Sequence, residues 1–154
     1  MKVILSSDHA GFAYKSTIVK MLKEEGYSIK DLGAYTEIAT DDYPDYAAKV
    51  AIALNNNEGE RGILICGSAV GVSVAANKFK GIRAAVCHDT YSAHQSVEHD
   101  DANILCIGER VVGIALAQDI IRAFLSAKFS DEPRHTRRLA KIAAIEDMNM
   151  KDSE

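Results

Sequence analysis

The stretch Gly62-Ile63-Leu64-Ile65-Cys66-Gly67-Ser68-Ala69-Val70-Gly71-Val72-Ser73 decides how the rest of the chain is read. Residues 63–66 are apolar at consecutive rather than alternate positions, which marks a strand buried on both faces, as in the middle of a parallel sheet. The small residues that follow make a turn, and Val70 to Lys78, rich in Val and Ala, reads as a short helix. A parallel strand needs a crossover to reach its neighbour, so further strand–helix units are expected on either side.

They are found in both directions. Before this stretch, Val3-Ile4-Leu5-Ser6 reads as a strand. Phe12 to Glu25 is an amphipathic helix with Phe12, Ile18, Val19 and Leu22 along one side, stopped by Gly26. Tyr27 to Leu32 is a weaker strand, Gly33 to Asp42 a polar loop, and Tyr46 to Leu54 a helix that exits through Asn55-Asn56-Asn57. Beyond the stretch, Ile82 to Cys87 and Ile104 to Ile107 are strands with a helix near Thr90 to Val97 between them. Helices Val112 to Ala127 and Arg134 to Asp147 close the chain. No repeat, low-complexity tract or linker divides residues 1–154, which read as one domain. The expected fold is α/β, a three-layer sandwich on a five-stranded parallel sheet, Rossmann-like or flavodoxin-like.

Composition narrows the function. Of 154 residues, 47% are hydrophobic and 26% charged, enough to bury a core and too apolar for a disordered chain. A formal net charge of −4 argues against general nucleic-acid binding. No apolar run approaches the roughly 20 residues that span a bilayer, and Val3-Ile4-Leu5 is too short for a signal-peptide core, so a cytoplasmic protein with no membrane partner is expected. Cys66, Cys87 and Cys106 are odd in number and widely spaced, which suggests neither a disulfide framework nor a zinc ribbon.

On a sheet of this kind, ligands bind beyond the carboxyl ends of the strands. The residues there are Asp8-His9, Cys66 to Gly71, His88-Asp89 and Glu109-Arg110. Cys66 is delivered by an apolar strand to a turn that opens a helix, where free N–H groups and the helix dipole favour an anion and can activate a thiol. Cysteine is also among the most buried residue types, so spacing alone leaves both a catalytic and a core reading of Cys66 open. The core reading is preferred for Cys87 and Cys106. The turn lacks the Gly-Lys-Ser/Thr ending of a P-loop, and no Gly-x-Gly-x-x-Gly follows the first strand, so a nucleotide is not expected.

The histidines are His9, His88, His94, His99 and His135. None forms a His-x-x-x-His pair, and no metal is expected. His9 stands beside Asp8, which can fix its tautomer. His99, in Glu98-His99-Asp100-Asp101, reads by position as a solvated loop histidine. Basic residues cluster in Arg134-His135-Thr136-Arg137-Arg138 and Lys141, with Arg134 and Arg138 on one helix face. Guanidinium forks suit phosphate, and Arg110 can add a third, so a small phosphorylated ligand is expected.

Taken together, Ser7-Asp8-His9-Ala10-Gly11-Phe12, Asp42-Tyr43-Pro44, Gly62 to Ser68, Ala75-Ala76-Asn77-Lys78, Gly81-Ile82-Arg83-Ala84, His99, Asn103 to Gly108, Arg110-Val111-Val112-Gly113 and the basic 134–138 segment resemble the ribose/galactose phosphate isomerases over nearly the whole chain. Type B ribose-5-phosphate isomerases and galactose-6-phosphate isomerase subunits belong to that family. The resemblance implies an aldose–ketose isomerase that interconverts ribose 5-phosphate and ribulose 5-phosphate through a cis-enediolate, without a cofactor.

By the same resemblance Cys66 is the base and His99 assists ring opening. Asp8 binds sugar hydroxyls, with Tyr43 and Asp100 also at the substrate. Gly67, Ser68, Ala69, Val70 and Gly71 supply N–H donors to the enediolate, and His9, Arg110, Arg134 and Arg138 hold the phosphate. It further implies a homodimer or dimer of dimers with sites completed by the neighbouring chain. The last helix, carrying Leu139, Ile142, Ala143 and Ile145, is expected to pack on the partner as well as on its own sheet.

Two positions depart from the family pattern: Asp100 where Asn is usual, which bears on sugar choice, and Ala69 where Gly is common. A six-carbon isomerase, for galactose 6-phosphate or allose 6-phosphate, and a noncatalytic sugar-phosphate sensor are the alternatives. Cys66 and His99 in one chain favour the pentose enzyme.

Overall fold

Alternation along three adjacent strands sorts the core into two halves. The computed structural model describes residues 1–37 and 40–150. Its elements are β1 (Lys2–Ser7), α1 (Phe12–Glu24), β2 (Ser28–Asp31), α2 (Tyr43–Asn55), β3 (Arg61–Cys66), α3 (Val70–Ala76), β4 (Ala84–Val86), α4 (Thr90–Asp100), β5 (Ile104–Gly108), α5 (Ile114–Ser126) and α6 (Pro133–Asn149). Val3, Leu5, Ile63, Ile65, Leu105 and Ile107 point to a layer containing Ile18 and Leu22 of α1, Val97 of α4 and Phe124 of α5. Ile4, Leu64, Cys66, Ile104 and Cys106 point the other way, to Val50 of α2 and Val72 of α3. The three-layer α/β sandwich is therefore the observed fold, and no described helix is long and apolar enough to cross a membrane.

The sheet is parallel throughout, in the order β2-β1-β3-β5-β4. Relative to the flavodoxin order, the last two strands are exchanged. Burial explains the exchange: all five residues of β5 are buried, whereas the three of β4 are partly or fully exposed, and a short, half-exposed strand suits an edge. From β1 the chain moves outward to β2, then returns across β1 to β3. The switch point thus lies between the carboxyl ends of β1 and β3.

Several boundaries differ from the sequence reading. Helix α2 begins at Tyr43 rather than Tyr46, because Pro44 fits the first helical turn, where its missing N–H costs nothing. Strand β4 covers three residues rather than six. Ile82 closes a turn onto the Phe79 carbonyl, and Arg83 N–H donates to the Asn103 side chain instead of joining the ladder. Helix α4 runs on to Asp100, so His99 lies in its last turn. The reading of His99 as a loop residue is corrected.

Helix α6 packs against α4 and reaches the β4 edge, where Glu146 accepts the Gly81 N–H at 2.9 Å. Of its side chains only His135 is buried. The expected packing of Leu139, Ile142, Ala143 and Ile145 on the chain's own sheet is not observed. Ile142 and Ile145 are 45% and 58% exposed.

One buried ion pair positions the first strand end. Lys15 of α1, only 2% exposed, donates to both Asp31 carboxylate oxygens at 2.6 and 2.7 Å. Asp31 also accepts the Gly33 N–H, and the Gly33 carbonyl accepts from Ser7 N–H at 2.7 Å and Ser6 Oγ–H at 3.0 Å. The exit of β2 is thereby stitched to the exit of β1.

Candidate active site

At the switch point the two central strands deliver Asp8-His9 and Cys66 to one cleft of about 290 Å³. The turn after β3 supplies Gly67, Ser68 and Gly71, α2 supplies Tyr43, and the turn after β5 supplies Arg110 and Val111. Two glycines make these approaches possible. A Cβ at Gly11 would fall 2.4 Å from the Ile65 carbonyl oxygen, so only glycine lets the start of α1 lie against β3. A Cβ at Gly71 would overlap the Tyr43 ring at 2.6 Å.

Cys66 is 5% exposed, and its sulfur accepts the Ala69 N–H at 3.1 Å. The loop achieves this with Ala69 at φ +71°, a left-handed conformation in which glycine is the usual residue. Val70 N–H donates to Ser68 Oγ at 3.4 Å. Two of the five N–H groups of residues 67–71 are therefore engaged within the loop. On the far side, Arg110 N–H donates to the Gly67 carbonyl, and its guanidinium lies against Gly67. His88 Nε2 accepts the Gly108 N–H at 3.0 Å, which holds the turn carrying Arg110, while Asp89 caps α4 through Ser92 N–H. Cys87 and Cys106 are buried thiols whose protonated form is favoured by burial.

Asp8 is buried and accepts the Gly11 N–H at 3.1 Å. His9 Nδ1 lies 2.5 Å from Asp41 Oδ1, and this hydrogen bond raises the imidazole above its ordinary value against the opposing effect of burial. Burial pushes the Asp41 carboxyl up, but hydrogen bonds from His9 and Tyr46 hold it below the usual carboxylate range. Sequence reasoning passed over Asp41, because the loop from Gly33 to Asp42 gives no sign of which acidic residue returns to β1. Asp8, His9 and Asp41 bring three metal-capable atoms within 4.8 Å of one another. In the structure that trio forms a carboxylate–histidine pair with Asp8 alongside.

The remaining proposed residues lie elsewhere in the chain. His99, on α4, stacks on His135 of α6 with ring centroids 4.1 Å apart and 29° between planes. Arg134 is exposed and pairs with Glu132 at 2.9 Å, and Arg138 is exposed one turn further along α6. Asp100 borders a different groove, between α4 and the far half of α6. None of these four lines the Cys66 cleft among the described residues. Of the residues lining that cleft, Tyr43 and Val111 are 43% and 54% exposed, and α3, which leads away from the turn, exposes Val70 and Val74. Ten of the fourteen predicted site residues thus stand at the sheet-end cleft or in its turn, and four, His99, Asp100, Arg134 and Arg138, on α4 and α6.

Known proteins share the sequence and the fold of this chain. The family described as Ribose/Galactose Isomerase matches residues 3–142. Ribose-5-phosphate isomerase B of Escherichia coli is 48% identical over 145 residues, covering 94% of this chain and 96% of that one. D-erythrulose-4-phosphate isomerase 2 of Mycolicibacterium smegmatis is 38% identical, covering 95% and 97%. The solved structure of Clostridium thermocellum ribose-5-phosphate isomerase B superposes with a TM-score of 0.93 at 49% identity, over 96% of this chain and 99% of that one. A match over nearly the whole chain, with the fold in common, shows that this chain belongs to the ribose/galactose isomerase family and is an aldose–ketose isomerase.

Proposed function

We propose that this protein interconverts ribose 5-phosphate and ribulose 5-phosphate through a cis-enediolate, with Cys66 as the base. The observation that carries this reading is the Cys66 sulfur itself: it sits at the end of β3, accepts a backbone N–H, and shares a cleft with Asp8, His9 and Arg110. A sulfur that already accepts an N–H bond is prepared to carry negative charge. With the sugar chain open, the thiolate takes the proton from C2, and the C1 carbonyl oxygen becomes the enediolate oxygen. N–H groups of the Gly67–Gly71 turn stabilise that oxygen, which is what makes so weak a carbon acid removable. The proton returns to C1 while the C2 hydroxyl proton moves to O1, leaving the ketose.

His99 assists opening of the furanose, and Arg134 and Arg138, with His9 and Arg110, hold the phosphate. The two halves of this constellation belong to one site when a second copy of the chain brings its α4–α6 face over the cleft. Exposed Tyr43 and Val111 at the cleft, with Val70 and Val74 of α3, are the apolar surface such a copy would cover. A thiol base and three free cysteines suit the reducing cytoplasm.

The relatives named for ribose 5-phosphate support the five-carbon substrate, while those named for D-erythrulose 4-phosphate make chain length the point to test. A coupled assay of purified protein on four-, five- and six-carbon aldose phosphates tests it. The highest kcat/KM is expected for ribose 5-phosphate. A higher value for a four- or six-carbon substrate overturns the assignment, and turnover of none of them points to the sensor.

A further inference from the structure

The α4–α6 face carries more than a half-buried histidine. His99 Nδ1 lies 3.1 Å from Gln95 Nε2, one helical turn back on α4. An amide nitrogen can only donate, so Nδ1 accepts, and the proton of the neutral ring resides on Nε2. Nε2 faces Glu98 Oε2 at 3.7 Å, too far for a hydrogen bond, so its proton is available to a ligand.

Behind His99 lies His135, 2% exposed. Its Nδ1 is 2.6 Å from Ser130 Oγ, which itself accepts the Glu132 N–H at 3.3 Å. The bond to Oγ anchors the His135 ring to Ser130. Ser130 N–H donates to the Glu98 carbonyl at 3.0 Å, so the same residue ties the approach to α6 onto the last turn of α4. Burial, with His99 and Arg134 beside it, holds His135 below its ordinary value, which favours the neutral ring in the stack.

We infer that Gln95 and His135 are positioning residues for His99: Gln95 fixes its proton on Nε2, and His135, anchored by Ser130, fixes the plane of its ring. The inference rests on the reading of His99 as the ring-opening group. In that step the bond between C1 and the ring oxygen breaks, Nε2–H gives its proton to the ring oxygen, and the C1 hydroxyl becomes the carbonyl by losing its proton, which returns to the imidazole. A ring fixed as the other tautomer would present a lone pair to the ring oxygen and could not begin this exchange.

The test separates the ring chemistry from everything else. Solvent deuterium exchange into ribulose 5-phosphate, an open-chain ketose, requires proton transfer at carbon but no ring opening. Turnover of ribose 5-phosphate requires both. In the intact enzyme with ¹⁵N-labelled histidine, His99 should show Nε2 protonated and Nδ1 bare, and Gln95→Met should convert this to a tautomer mixture. The same variant should lose about three- to tenfold in kcat for ribose 5-phosphate, a fraction of what a whole general acid contributes, while ketose exchange stays at the wild-type rate.

A wild-type ring protonated on Nδ1 overturns the proposal, as does a Gln95→Met variant that loses both rates equally or neither. His99→Asn distinguishes the two layers. If it selectively loses ribose 5-phosphate turnover and Gln95→Met does not, the positioning role alone falls. If His99→Asn spares ribose 5-phosphate turnover, the ring-opening reading falls, and the positioning role with it.

Discussion

At His9 a carboxylate from a distant loop decides the charge of an imidazole. Asp41 raises His9, so the cation persists above the ordinary histidine range and is lost as pH rises through the elevated value. With His9 in its proposed role at the phosphate, phosphate should bind less tightly at pH above that point. In Asp41→Asn the elevation disappears, and affinity should fall at a lower pH. Inhibition by inorganic phosphate, followed against pH in both proteins, checks this; superimposable profiles would contradict it. The linkage has the same sign for stability: the pair contributes fully below the ordinary histidine value and fades as pH climbs through the raised one. Asp41 adds the opposite limb, lost as pH falls through its depressed value.

Residues such as Cys66 were legible because an apolar strand followed by small residues is a local signal. Asp41 was not, since it meets His9 across 32 positions of sequence. Gln95 lies between these cases. Its spacing to His99 is that of one helical turn, and extending α4 past Val97 would have paired them.

Among the elements, the buried strands read most clearly and the half-exposed ones least. Strand β3 was recognised from its unbroken apolar run. Strand β4 was overextended because Ile82 and Cys87 are buried as β residues would be, though they serve a turn and the approach to α4. The start of α1 illustrates how an element positions the site. Gly11 both packs against the Ile65 backbone and donates to Asp8, so Gly11→Ala must move α1 away from β3 or displace the Asp8 loop. Overpacking of this kind costs about 1–3 kcal/mol. Urea unfolding of that variant should show a lower midpoint with an unchanged slope. An unaltered midpoint would mean that the contact is readily relieved.

The whole molecule divides the proposed chemistry between a sheet-end cleft and a helical face. Period and motif could not show this, because they report neighbours along the chain and not which surfaces a second copy would unite; only the family resemblance pointed to a site shared between chains. Two inactive variants test the division. Cys66→Ala spoils the cleft and His99→Asn the helical face, so in a mixed dimer one site carries both lesions and the other neither. Refolding the two together should restore activity towards about a quarter of wild type, from statistical pairing of chains into dimers. Absence of any recovery, with mixed oligomers verified by mass, would place Cys66 and His99 in one chain's site.

The central claim is that Cys66 moves the proton between C1 and C2, and exchange of substrate carbon-bound hydrogen with solvent reads that event alone. In Cys66→Ala, with circular dichroism and sugar-phosphate binding retained, exchange at C2 of ribose 5-phosphate and at C1 of ribulose 5-phosphate should fall by at least about 10²–10⁴-fold, the contribution of a positioned base. Exchange at the wild-type rate in that variant would contradict the account.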